Sequence, residues 1–253
     1  MGVRLPAEYQ EVEYLENSGE QYIWTDYIPE CSGLSVECDY MFTASQFGDD
    51  NYLFQARSYG IISAECYAGS RWYIYCGIPV FNNVLNSVGN SLNVKHKLLI
   101  DSVSETVNID GVSVDKTGVR AASSIYKLLL FSGYSVNNSI ENITVYGINS
   151  GLRIYNFITR NNGNISANFM PCYRKSDSEP GMYELVSGTF YTNSGTGEFL
   201  IGPDVDHHIS PRLMDRRRVL IARLTSKFDT TPKIAEYGAY WNRTYGSKST
   251  DAG

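Results

Sequence analysis

The chain has 253 residues, of which 43% are hydrophobic and 19% charged, so it can bury a core and is not expected to be disordered throughout. The formal net charge of −6 argues against general nucleic-acid binding, and no apolar run reaches the ~18–20 residues that span a membrane. The 20 Tyr and 22 Gly favour strands and turns over helices.

Short alternating segments, separated by turn residues, follow one another as far as residue 202. The turn Asn17-Ser18-Gly19 predicts a hairpin between the first two segments, and another chain reversal is predicted at Asp110-Gly111. The predicted strands are 11–16, 21–27, 34–42, 52–57, 61–67, 71–76, 94–101, 105–114, 126–131, 140–148, 152–159 and 165–173. This spacing predicts an all-β, antiparallel two-sheet sandwich, and the size suits a jelly roll.

Alternation divides the predicted strand 71–76 into two faces. The apolar face, Trp72, Ile74 and Cys76, is expected to belong to the core. The other face carries aromatic and basic residues, together with two residues of strand 52–57: Gln55, Arg57, Arg71, Tyr73 and Tyr75. Such a face can stack on sugar rings and donate hydrogen bonds to hydroxyls. A protein–protein surface and simple cross-strand aromatic pairing remain open alternatives.

Charge divides the chain near residue 202. Residues 1–202 hold 12 Lys+Arg against 21 Asp+Glu, a net of −9, whereas residues 203–253 hold 9 against 6, a net of +3. Ser210-Pro211 indicates a helix start, and an apolar stripe predicts a helix near 211–228. We expect this basic tail to dock on a partner through Leu213, Arg217, Leu220, Leu224, Phe228, Tyr240 and Trp241.

Three stretches together carry a family resemblance. They are residues 5–23 (LPAEYQEVEYLENSGEQYI), the segments 96–101 (HKLLID) and 107–111 (VNIDG), and a closing run of 168–177 (NFMPCYRKSD), 181–186 (GMYELV) and 190–197 (FYTNSGTG). In this order they resemble structural proteins of gut bacteriophages and their prophages, found in tails, baseplates or capsid decorations. That group is similar to the concanavalin A-like lectin/glucanase superfamily, so the resemblance implies a jelly roll over residues 1–202. One departure is Trp24-Thr25-Asp26, where the group often has Asp-Thr-Gly.

Glucanases of this superfamily place paired carboxylates on one strand, in motifs resembling E-x-D-x-x-E or E-x-D-x-E. The nearest match is Glu37-Cys38-Asp39, but Met41 and Phe42 occupy the positions where the second Glu would fall. Because glycoside hydrolysis needs an acid and a second carboxylate, we expect no enzymatic activity.

Metal and thiol chemistry find little support. Two groups of residues have side chains that could bind a metal ion. Asp204, Asp206, His207 and His208 are interpreted as part of a solvated linker. Asp49, Asp50, Asn51 and Asp101 are interpreted as turn residues. His96 lies in a predicted strand and is interpreted as structural. The five Cys lack CxxC spacing, and residues 1–10 lack the apolar stretch of a secretory signal, so we expect reduced thiols and folding in a cytoplasm. No metal and no cofactor are predicted.

The leading hypothesis is a non-enzymatic bacteriophage virion protein that displays a lectin-like domain, assembled in the host cytoplasm. Its expected partners are other virion proteins through the tail, bacterial surface polysaccharide, and further copies of itself in the particle, with no nucleic acid or membrane. A glycan-cleaving enzyme of the same fold and a decoration protein without glycan affinity are the alternatives.

Overall fold

The computed structural model describes residues 4–30, 32–44, 51–56, 62–67, 71–76, 81–84, 88–115, 125–136, 143–146 and 150–206. Within these ranges the chain forms strands and no helix. The strands are β1 (Tyr9–Glu11), β2 (Leu15–Ser18), β3 (Ile23–Trp24), β4 (Leu34–Phe42), β5 (Asn51–Ala56), β6 (Ile62–Tyr67), β7 (Arg71–Cys76), β8 (Phe81–Val84), β9 (His96–Asp101), β10 (Thr106–Ile109), β11 (Val112–Asp115), β12 (Leu129–Leu130), β13 (Gly133–Val136), β14 (Ile143–Tyr146), β15 (Ser150–Asn161), β16 (Asn164–Arg174), β17 (Glu179–Glu184), β18 (Thr189–Thr192) and β19 (Leu200–Ile201).

The larger sheet has eleven strands, and β15 holds its centre. Its main path is β11-β10-β9-β4-β15-β16-β17-β18, with β1 on β16 and with β2 between β15 and β19. Every pairing in it is antiparallel. The first part of β15 pairs with β2 and β4, and its second part pairs with β4 and β16. This long strand therefore links the N-terminal segment to the C-terminal hairpins.

The second sheet has six strands in the order β3-β12-β5-β6-β7-β8, again antiparallel. A separate hairpin, formed by β13 and β14, packs against β5 without joining either sheet in the described part of the chain. We call this two-stranded element the covering hairpin.

The two sheets pack face to face around one apolar core. The rings of Phe54 in β5 and Phe157 in β15 lie 4.8 Å apart, and Trp72 in β7 lies 5.7 Å from Tyr40 in β4. Strand β4 alternates strictly between buried and partly exposed residues, as a half-buried strand must. These features confirm the predicted fold class, an all-β antiparallel two-sheet jelly-roll sandwich, for the described residues.

Two predicted turns have different outcomes. Asp110 and Gly111 have φ of 52° and 87° and join β10 to β11, which is the two-residue hairpin that the Asp-Gly pair indicates. The predicted hairpin at Asn17-Ser18-Gly19 is wrong. Strand β2 belongs to the eleven-stranded sheet and β3 to the six-stranded one, so this turn carries the chain between sheets.

The physical reason is that side chains hold the Asn17 turn. The Gln21 Oε1 accepts a hydrogen bond from the Ser18 amide at 2.8 Å, and the Asn17 Oδ1 accepts one from the Leu152 amide at 3.0 Å. The polar side chains of this segment thus replace the backbone pairing that a hairpin would have made.

The chain divides into two compact units, Met1–Val205 and Asp206–Gly253. Backbone hydrogen bonds join Pro203 to Glu13 and Val205 to Glu11, so the sandwich extends to Val205. The predicted helix near 211–228 and the seven predicted docking residues lie outside the described residues, and the docking role of the tail stays a prediction.

Candidate functional site

Strand register gathers the predicted binding residues on the outer face of the six-stranded sheet. One cross-strand row joins Gln55 to Ser63 and Ser63 to Tyr75, and the next row joins Tyr52 to Glu65 and Glu65 to Tyr73. The alternate residues Phe54, Ala56, Ile62, Ala64, Trp72 and Ile74 belong to the core cluster. Because side chains alternate along a strand, the two rows lie on the face that points away from the core.

Gln55 is not the exposed ligand contact that the sequence predicted. Its side chain is fully buried, and its Oε1 accepts a hydrogen bond from the backbone amide of Tyr134 in the covering hairpin. The alternation rule placed Gln55 on the correct face but could not reveal that a later segment covers that face.

Gln55 and its neighbour Ser63 both carry a polar atom that lacks a partner. Among the described residues, four buried side-chain atoms have no hydrogen-bond partner, and two of them are Gln55 Nε2 and Ser63 Oγ. Both residues are 0% exposed. The other two atoms, Asp39 Oδ1 and Ser102 Oγ, belong to residues that are not paired with one another. We call Gln55 and Ser63 the polar pair.

A buried carboxylate lies beside the polar pair. Glu65 is 6% exposed and occupies the position two residues after Ser63, on the same face of β6. The Tyr52 hydroxyl hydrogen-bonds to Glu65 and to Tyr146 of the covering hairpin. Burial, and next the charge of Glu65, raise the pKa of Tyr52 far above its ordinary value, so this phenol stays protonated.

Tyr73 is the predicted site residue that the structure leaves accessible. Its side chain is half-buried, and its backbone pairs with Glu65 on one side and Asn82 on the other. Arg57 lies outside the described residues, and for Arg71 and Tyr75 only the backbone positions in β7 are described. The prediction of an apolar face is confirmed for Trp72 and Ile74, which are fully buried.

The sequence reasoning missed Ser63, Glu65 and Tyr52. Ser63 and Glu65 could have been found from the sequence. Alternation along residues 62–67 places them on one face of the strand and the apolar residues Ile62, Ala64 and Cys66 on the other. The position of Tyr52 depended on the register shift between Tyr52 and Phe54, which alternation cannot reveal.

The carboxylates of the strand that resembles the glucanase motif are held in ion pairs. On the outer face of the eleven-stranded sheet, Glu37 contacts Lys97 at 2.5 Å and Arg160 at 3.3 Å. Partial burial raises the pKa of the Glu37 carboxyl, but the hydrogen bonds and charges of Lys97 and Arg160 lower it more, so the net pKa lies below the ordinary value. Glu37 is therefore ionised at neutral pH, which does not suit a general acid.

Asp39 completes this row of charges. Its Oδ2 lies 3.1 Å from Lys95 Nζ, and its backbone amide bonds to Asn156 Oδ1 at 3.2 Å. At the position of the missing second Glu, Phe42 is fully buried, and the sulfur of Met41 accepts a contact from the Tyr155 hydroxyl at 3.7 Å. The motif residues therefore act in pairing and packing.

A second aromatic cluster lies on the outer face of the eleven-stranded sheet. The rings of Tyr14 and Tyr155 meet edge to face at 5.3 Å, with Arg153 over Tyr14 at 4.1 Å and Lys95 over Tyr155 at 4.3 Å. Arg153 also bonds to Glu16 at 2.7 Å. Both cations of this cluster therefore have a carboxylate partner, Glu16 for Arg153 and Asp39 for Lys95.

The motifs that carry the family resemblance fasten the two ends of the sandwich together. Gln21 Nε2 donates to the Thr196 carbonyl at 3.0 Å, and Asn193 Oδ1 accepts from the Tyr22 amide at 3.3 Å. Glu184, from the GMYELV segment, is 3% exposed and accepts three backbone N–H bonds at 2.5–2.9 Å. These residues serve the fold, so their resemblance to a family predicts structure more directly than chemistry.

His96 is placed as a structural residue. It is 4% exposed, with Nδ1 at 2.6 Å from Asp110 Oδ2 and Nε2 at 3.2 Å from the Ser91 carbonyl. Nδ1 therefore contacts the turn between β10 and β11, and Nε2 contacts the segment that precedes β9.

Three of the five cysteines can be described, and all three are buried free thiols: Cys38, Cys66 and Cys172. Burial raises the pKa of the Cys66 and Cys172 thiols to about 12. At neutral pH neither is a reactive thiolate.

In the part of the chain that is described, no three His, Cys, Asp or Glu side chains are grouped so that they could hold a metal ion. Of the residues predicted as linker or turn ligands, Asp49, Asp50, His207 and His208 lie outside this part. The same residues form no helix that is long and apolar enough to cross a membrane.

No protein-family model matches this chain, and no curated protein matches it. Among solved structures, it is similar to the native heptameric SAP-like pentraxin from Limulus polyphemus, with 10% sequence identity and a TM-score of 0.42, over 80% of this chain and 96% of the pentraxin chain. The fold assignment rests on the strands and pairings given above.

Proposed function

We propose that this chain is a non-enzymatic structural protein of a bacteriophage virion, whose sandwich holds bacterial surface glycan while its basic tail attaches it to other virion proteins. The virion setting is supported by the sequence motifs, which resemble phage structural proteins in the same order along the chain. A displayed, acidic sandwich joined to a basic attachment segment is consistent with that setting.

One observation carries the glycan function. The outer face of the six-stranded sheet places the half-buried ring of Tyr73 next to Glu65 and close to the polar pair. Aromatic rings stack on the apolar faces of sugars, and carboxylate, amide and hydroxyl groups bond to sugar hydroxyls. This combination of groups suits a saccharide better than an apolar ligand.

A non-enzymatic role is supported by the carboxylates. Glu37 and Asp39 are bound to cations, and strands β5–β8 hold a single carboxylate in their described residues, Glu65. Retaining and inverting glycosidases both need two carboxyl groups across the scissile bond. A lone buried carboxylate can orient a sugar without cleaving it.

The test is a glycan array of bacterial capsular and wall polysaccharides, probed with the full chain, with Tyr73→Ala and with Tyr155→Ala. Tyr155 is the matched control, because it is also a partly exposed tyrosine on the outer face of a sheet. We expect Tyr73→Ala to weaken binding about tenfold, since one lost stacking contact is worth on the order of 1–1.5 kcal/mol. Tyr155→Ala should leave binding unchanged.

Loss of binding in Tyr155→Ala alone would move the glycan surface to the eleven-stranded sheet and contradict the proposal. Absence of binding by the unmodified chain would favour a decoration protein without glycan affinity. Release of sugar products that a single carboxylate substitution abolishes would favour an enzyme.

A further inference from the structure

We propose that the polar pair, Gln55 and Ser63, is the innermost part of a saccharide subsite that receives one oxygen of a neutral hexose beneath the covering hairpin. The inference deepens the proposed glycan function and rests on it. It starts from the two adjacent side chains of the six-stranded sheet that are fully buried and that leave a hydrogen-bonding atom without a partner in the described residues.

The orientation of Gln55 determines which kind of group the polar pair can receive. The Tyr134 amide is a donor, so the atom of Gln55 that meets it must be the oxygen Oε1, and the atom that remains is the donor Nε2. The Ser63 hydroxyl can both donate and accept. The group that satisfies them must therefore offer an acceptor oxygen, as a sugar hydroxyl does, and a metal cation is excluded by the Nε2 donor.

Adjacency makes the two atoms one site. Gln55 and Ser63 are direct cross-strand partners, so their Cβ atoms lie about 5 Å apart. An unpaired buried polar group costs about 1–3 kcal/mol, and folded proteins keep few of them. Two such groups on one cross-strand pair are explained if a ligand satisfies both.

Charge selects a neutral sugar. Glu65 lies two residues from Ser63 on the same face and is 6% exposed, so a negative charge on Glu65 would be weakly screened by solvent. The carboxylate of a uronic acid entering at Ser63 would be repelled by it. The hydroxyl of a neutral hexose would meet no such repulsion and could donate to an oxygen of Glu65.

Access requires movement of the covering hairpin, and its attachment permits this. It pairs with no strand of either sheet in the described residues. Its hydrogen bonds include the Tyr134 amide to Gln55, the Tyr134 hydroxyl to the Lys127 carbonyl at 3.0 Å, the Ser132 hydroxyl to the Tyr146 carbonyl at 2.7 Å, and a bond between the Tyr146 and Tyr52 side chains. Its rings pack on Trp24 at 4.8 Å and on Tyr52 at 5.6 Å. A two-stranded element held mainly by side chains opens at lower free energy than a sheet strand does.

The test combines affinity and stability in the full chain. The probes are glucose, galactose and mannose, with glucuronate and galacturonate as their charged counterparts, and binding is followed by ligand-observed NMR. The variants are Ser63→Ala and the matched control Ser166→Ala. The Ser166 hydroxyl has two partners, Tyr27 and Thr159, at 3.0 and 2.8 Å.

We expect the unmodified chain to bind at least one neutral hexose and to bind its uronate more weakly. Ser63→Ala should weaken hexose binding about fivefold, the equivalent of one hydrogen bond, while its resistance to denaturant stays equal or rises. Ser166→Ala should show the opposite pattern, with unchanged binding and lower resistance. A purely structural Ser63 would instead lower resistance without altering affinity.

Three results would overturn the inference. They are hexose binding that Ser63→Ala leaves unchanged, preferential binding of a uronate, and failure of every hexose probe to bind. If the polysaccharide array still shows binding that depends on Tyr73, the result supports the proposed function and contradicts only the subsite. If the chain binds no polysaccharide on the array either, both the subsite and the proposed glycan function are contradicted.

Discussion

The polar side chains on the outer faces of the two sheets are paired to different extents. On the eleven-stranded sheet, Glu37, Asp39 and Glu16 are each paired with a cation, although the second oxygen of Asp39, Oδ1, has no hydrogen-bond partner in the described residues. On the six-stranded sheet, the covering hairpin contacts Gln55 on the outer face, and the polar pair has two atoms without partners in the described residues.

The difference indicates how the fold divides its tasks. Paired charges on a sheet face add to stability, whereas two adjacent buried groups left without partners lower it and persist where binding needs them. The eleven-stranded sheet therefore acts as the scaffold, joined at its ends by the motifs of the family resemblance. The six-stranded sheet is the side on which we place the ligand.

Among substitutions that test the scaffold role of the eleven-stranded sheet, we expect the largest loss of stability at Glu184. Glu184→Ala removes a buried carboxylate that accepts three backbone N–H bonds, so we expect a loss of about 3 kcal/mol in the free energy of unfolding, measured by denaturant titration. Glu184→Gln keeps one acceptor oxygen and should lose less. The control Glu179→Ala, on the same strand but partly exposed, should change stability by less than about 0.5 kcal/mol. Equal effects at Glu184 and Glu179 would contradict the scaffold role.

A smaller effect, with a defined pH dependence, is expected at Glu37. Because the pKa of Glu37 is lower in the folded chain than its ordinary value of 4.5, ionisation of Glu37 stabilises the fold above that value. This contribution is lost as the pH falls through the lowered folded pKa. Glu37→Gln should therefore cost about 0.5–1 kcal/mol at pH 7 and nothing once the carboxyl is protonated. A cost that is the same at pH 7 and pH 3 would show that the ion pairs are not its source.

Much of the fold could be predicted from the sequence, because it depends on local patterns. Alternation along residues 34–42 and the Asp110-Gly111 turn identified strands and a reversal that the structure contains. The Asn17 turn was mispredicted because its outcome depends on Leu152, a residue 135 positions away. Pairing with a distant segment leaves no local signal.

The candidate site shows the same limit. Alternation placed Tyr73 and Gln55 on the outer face, and register confirms that they share it. It could not predict that Tyr134 would cover Gln55, because a hairpin that joins neither sheet is positioned by contacts with residues distant in sequence, such as Gln55 and Trp24. For the same reason, the ion pairs that hold Glu37 required the register of β4, β9 and β15.

The most direct test of the division between the two sheets is hydrogen exchange of the full chain, with and without the saccharide that the array identifies. Without ligand, amides of β13 and β14 should exchange faster than those of β4 and β15. With ligand, we expect added protection in β6, β7, β13 and β14 and none in β4, β9 or β15. Protection confined to β4, β9 and β15 would place the ligand on the sheet that we assign to the scaffold and would contradict the proposal.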